Sequence, residues 1–111
     1  MLHLPVEKEA IPYSVDIRVA GMTYTFTFNY NAEGDFFTVD LVQNEEILVL
    51  GEKIVYGRAL FTSYLDERFP PAAIIPVDLS MQADQVGWNE LGESVFLYVI
   101  TADEMEAVLD E

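Results

Sequence analysis

The sequence predicts an all-β chain, an antiparallel β-sandwich or small barrel of about seven or eight short strands with a short C-terminal helix. Three observations carry this. Met22, Tyr24, Phe26, Phe28 and Tyr30 alternate with Thr23, Thr25, Thr27 and Asn29, the strict period-2 pattern of a half-buried strand. Turn residues punctuate the chain at roughly ten-residue spacing. Helical spacing shows only after Thr101. Residues 1–100 read as one β-domain and residues 101–111 as an acidic helical segment.

The elements follow in order. Leu2 to Val6 suits a short edge strand, since Pro5 is tolerated only at an edge or a strand end. His3, the sole histidine, reads as an ordinary strand residue rather than a catalytic one or a ligand. Pro12 opens the next strand, where Tyr13, Val15, Ile17 and Val19 alternate with Ser14, Asp16 and Arg18. Ala20-Gly21 then turns the chain tightly into the aromatic strand. Asn31-Ala32-Glu33-Gly34 turns it again, into Phe36 to Leu41 or a little beyond.

A polar turn, Val42-Gln43-Asn44-Glu45-Glu46, leads to Ile47-Leu48-Val49-Leu50, a continuous apolar run expected to be covered on both faces. Gly51 and Gly57 bracket an extended piece, and Arg58 to Leu65 reads as irregular or extended. Asp66 to Pro71 is a loop, because tandem prolines remove two donors and force extended geometry before them. Ala73 to Leu79 is strand-like, Ser80 to Gly92 is a polar loop holding the only tryptophan, Trp88, and Glu93 to Ile100 closes the β part. Thr101-Ala102-Asp103-Glu104 fits a capping box. Met105, Val108 and Leu109 share one face of the short helix that would follow.

Composition narrows the function classes. With 111 residues the chain makes one domain. Twenty acidic residues against five basic ones give a net charge of −15, which repels nucleic acid and anionic lipid. It suits a basic protein partner, or solubility alone. No apolar run approaches the ~20 residues that cross a bilayer, and the N-terminal residues show no secretory signal pattern. Without cysteine there is no disulfide, thiolate nucleophile or cysteine metal site. No Gly-x-Ser-x-Gly elbow, phosphate-binding glycine loop or histidine pair is present, so neither an enzyme nor a cofactor is expected. Asp84, Asn89 and Glu90 could offer oxygen to calcium, but they lack the spacing of a calcium loop and read as solvated.

The aromatic stripe of Tyr24, Phe26, Phe28 and Tyr30 reads as core rather than as a sugar-stacking platform. Phe36 and Phe37 are more telling. Adjacent strand residues point to opposite faces, so one of the two must leave the buried side. Trp88, in a polar loop, poses the same question. Exposed aromatics of this kind mark protein interfaces. Phe36, Phe37, Trp88, Met105 and Leu109 are accordingly the candidates for partner contact.

The order of these motifs resembles the baseplate plug proteins of contractile-tailed phages and prophages. It runs through Ile11-Pro12-Tyr13-Ser14-Val15, Gly21-Met22-Thr23-Tyr24, Phe28-Asn29-Tyr30-Asn31 and Asp40-Leu41. Gly51, Gly57-x-x-Leu60, Tyr64, Pro76-Val77-Asp78, Leu91-Gly92 and Val95-Phe96-Leu97-Tyr98 continue it, over residues 11–99. The segment from Thr101 has no counterpart in that pattern. The resemblance implies a non-enzymatic virion component made in the host bacterial cytoplasm. Such plugs sit at the central hub of the tail among hub and spike proteins, as several copies. The alternative is a carbohydrate- or peptide-binding β-domain using exposed aromatics. A third reading, an acidic mimic of nucleic acid, would need carboxylates spaced like phosphates along one face, and the sequence shows no such spacing.

Overall fold

The computed structural model describes residues 2–62, 67–101 and 104. Strands β1 (Tyr13–Val19), β2 (Met22–Asn31), β3 (Phe36–Gln43) and β4 (Glu46–Lys53) form an antiparallel meander in that spatial order. Strands β5 (Ala72–Val77) and β6 (Phe96–Thr101) form a second, two-stranded antiparallel sheet. The chain is all-β and antiparallel as expected, and among the described residues the two sheets do not close into a barrel.

Local chemistry sets each turn of the meander. Val19 pairs with Met22 across Ala20 and Gly21, both at positive φ, the geometry that matches the twist of a two-residue hairpin. Gln43 pairs with Glu46 across Asn44 and Glu45, again both at positive φ. The β2–β3 connection is longer, and there the Asn31 side chain accepts the Gly34 N–H at 2.8 Å. That side-chain turn mimics a backbone turn.

One face of the meander supplies most of the core. Tyr24, Phe26, Phe28, Phe37, Val39 and Leu41 are 0 % exposed and share a cluster with Ile74, Leu91, Val95, Leu97 and Val99. Phe26 stacks on Phe28 with centroids 6.2 Å apart. The Leu2–Leu4 segment lies along β6, with Leu4 N–H donating to Leu97 O and Val99 N–H to Leu2 O. Pro5 follows at the end of this short pairing, a place where proline is tolerated. Gly57 and Leu60 donate to Pro76 and Ile74 on the other side of β5, so the irregular 57–60 segment covers that edge. This also explains how Pro76 is tolerated within β5.

Two expectations need correction. Ile47 to Leu50 is not covered on both faces: Val49 is buried, but Ile47 is 61 % and Leu50 67 % exposed. The run sits on β4, an edge strand, and the register slips twice along it, between Val39 and Leu41 and between Leu41 and Val42. At the first slip Leu50 and Gly51 lie opposite Asp40 alone, and Gly51 takes φ +69° with its N–H donated to Asp40 Oδ1 at 2.6 Å. This is a β-bulge, which bends an edge and turns a side chain outward. Gly51 therefore marks a bulge within β4 rather than its end.

No C-terminal helix is found among the described residues. Thr101 and Glu104 do make reciprocal capping contacts, Thr101 N–H to Glu104 Oε1 at 3.3 Å and Glu104 N–H to Thr101 Oγ1 at 3.4 Å. Residues 102–103 and 105–111, with Met105 and Leu109, lie outside the described set.

Candidate functional site

Trp88 and the Phe36–Phe37 pair meet at one end of the molecule, where the 80–92 loop folds against the β2–β3 hairpin. The pair splits as alternation requires. Phe37 is fully buried and stacks on Trp88, with centroids 6.1 Å apart and planes at 15°. Phe36 faces the other way, half-buried, with Lys53 Nζ 4.5 Å from its ring centre. Tyr30 closes the group, 4.8 Å from Phe37 and 5.0 Å from Trp88.

Asp35 ties this end together. Its Oδ1 accepts Tyr30 OH at 2.6 Å and Trp88 N–H at 2.8 Å. The Tyr30 hydroxyl, then the Trp88 amide, hold the Asp35 carboxyl below its ordinary pKa, and the same bond pushes the Tyr30 phenol up. Gly87 permits the approach: a Cβ there would stand 2.5 Å from Asp35 Oδ2 and 2.7 Å from Glu90 Oε1. Glu90 in turn accepts the Gly87 N–H at 2.9 Å.

Lys8 holds the loop from the opposite side. It lies in a single 3-10 turn (Lys8–Ala10) and is only 9 % exposed. Its ammonium donates to the Trp88 carbonyl, sits 5.3 Å from the Trp88 ring centre and is 3.8 Å from Glu93. Charge-assisted bonds of this kind are among the stronger ones available to a protein. Asp78 fixes the start of the loop. Buried, it accepts Ser80 Oγ at 2.6 Å, Ser80 N–H at 2.8 Å, Gln82 N–H at 3.0 Å and Ala83 N–H at 2.8 Å. The Ser80 hydroxyl leads in holding its carboxyl below the ordinary value, with the Ala83 amide next.

Two depressions flank the end. A cleft of about 410 Å³ is lined by Ile11, Pro12, Asn29, Tyr30 and Trp88. A second, of about 270 Å³, has Asp35, Phe36, Lys53 and Gly87 in its walls. Among the described residues no cluster of three or more His, Asp or Glu side chains could hold a metal ion. Asp84 and Asn89 are exposed, and Glu90 is spent on its own loop.

Sequence reasoning found Phe36, Phe37 and Trp88 but missed the groups that position them. Lys8 lies in Glu-Lys-Glu-Ala, which reads as a solvated surface. Asp35 stands between the Asn31–Gly34 turn and the strand from Phe36, and nothing local couples it to a tryptophan 53 positions away. Asp78 alone carries a signal, through Pro76-Val77-Asp78.

A family model described as cyanophage baseplate Pam3 plug gp18 matches residues 1–103. No curated protein matches the chain.

Proposed function

The chain belongs to the cyanophage baseplate plug family, and from that premise we propose that it is a non-enzymatic plug at the central hub of a contractile tail baseplate, held by protein–protein contacts. The observation that carries this reading is the family match over nearly the whole chain. The geometry agrees in kind: Phe36 and the exposed part of Trp88 present aromatic surface at one end, on a loop pinned by Lys8, Asp35 and Asp78. Rigid aromatic anchors contribute binding energy at little entropic cost. Hub and spike proteins are the partners, and several copies gather in one virion. The surplus of carboxylates suits basic partner surfaces and steers them together. Phe36 and Trp88 are the contacts we assign, with Met105 and Leu109 of the C-terminal segment.

The test is reconstitution. Tagged chain mixed with the hub proteins of the same tail should carry them through size exclusion, and Phe36→Ala should weaken that capture about tenfold or more. Failure of every hub and spike protein to associate would sink the reading.

The carbohydrate- or peptide-binding alternative rests on the Tyr30–Trp88 cleft with its Asn29 amide. Phe37 already stacks on Trp88 and the Lys8 ammonium lies over the ring, which leaves little ring face for a sugar. Glycan or peptide binding that disappears in Trp88→Ala would promote this alternative.

A further inference from the structure

We propose that the outer face of the four-stranded sheet is where a second copy of this chain docks. The inference rests on the reading that several copies gather in one baseplate, and it adds the surface. Strand register places Asp16 and Arg18 of β1, Phe36 and Asp40 of β3 and Lys53 of β4 on that face, Phe36 at the corner it shares with the aromatic end, with the threonine row of β2 between them. Two of the 20 acidic residues and two of the five basic ones are thus here, so the face is neutral and the net charge of −15 lies on the rest of the chain.

Its carboxylates are also occupied. Thr25 Oγ1 donates to Asp16 Oδ1 at 2.6 Å, and Asp40 holds the Gly51 N–H. Beside them Val42 pairs with Ile47, and the bulge turns Leu50 outward. Two chains of this charge repel through their acidic surfaces. Here a copy meets threonine hydroxyls, balanced charge and an apolar corner instead.

The size of the face sets the strength. Four strands ~4.8 Å apart and about eight residues long cover roughly 500 Å² in plan, short of the ~800 Å² per partner of a stable interface. Isolated chains therefore associate weakly, and copies held together on a hub associate well.

Sedimentation velocity of the full chain, from micromolar to millimolar, tests this. The expected result is monomer at the dilute end and reversible association at the concentrated end, stronger in high salt because the acidic rim is screened. Leu50→Glu and, independently, Thr27→Glu each weaken association at least about tenfold. Met81→Glu, exposed away from this face, leaves it unchanged. A monomer at every concentration in high salt overturns the proposal. So does wild-type association in both face variants, or an equal loss in Met81→Glu. Hub capture separates the two claims. Capture without self-association removes this inference alone, whereas absence of capture by wild type and Leu50→Glu alike removes the baseplate reading.

Discussion

Asp35 shows how one exposed carboxylate can organise an end of the molecule. Its lowered pKa means that folding favours the charged form. Its contribution is complete above the ordinary value of 3.8 and is lost as pH falls through the lowered folded value. Asp78 has the same sign. Trp88 fluorescence should therefore shift on acidification below about pH 4, and Asp35→Asn should flatten that response while lowering Tm by several degrees at neutral pH. An unchanged acid profile in Asp35→Asn would show that Trp88 does not depend on this bond. Phe26 makes a separate point. It is fully buried between Tyr24 and Phe28, and Phe26→Ala should cost about 3–5 kcal/mol in denaturant unfolding.

At the scale of elements, turns and bulges set the register. Glu45 sits at φ +65°, a strained position for a side chain of its kind. Glu45→Gly should raise Tm by a few degrees, the sign expected when the turn demands positive φ. Gly87→Ala should do the opposite, because its Cβ would push Asp35 away from Trp88. Thermal unfolding of the two variants checks both. The hairpins were legible in the sequence because Ala20-Gly21, Asn31 to Gly34 and Asn44-Glu45 are local signals flanked by alternating residues. The exposure of Ile47 and Leu50 was not. A four-residue apolar run looks the same whether a sheet covers it or a bulge turns it out. Lys8 and Asp35 were illegible for a related reason: their partners are distant in sequence, and burial of a lysine follows from the fold rather than from its neighbours.

At the scale of the whole molecule, a small all-β chain carries a charge of −15 around one neutral sheet face and one aromatic end. Among the described residues no helix is long and apolar enough to cross a membrane. Self-repulsion at this charge should make the chain more stable as ionic strength rises from low salt, which a salt series of Tm values would register as a steady increase. The most direct test of the plug assignment is mass spectrometry of purified tails carrying a photocrosslinking residue at position 36. The account predicts that the chain co-purifies with the baseplate and that position 36 crosslinks to a hub or spike protein. A chain that stays in the lysate and is absent from purified tails would contradict it.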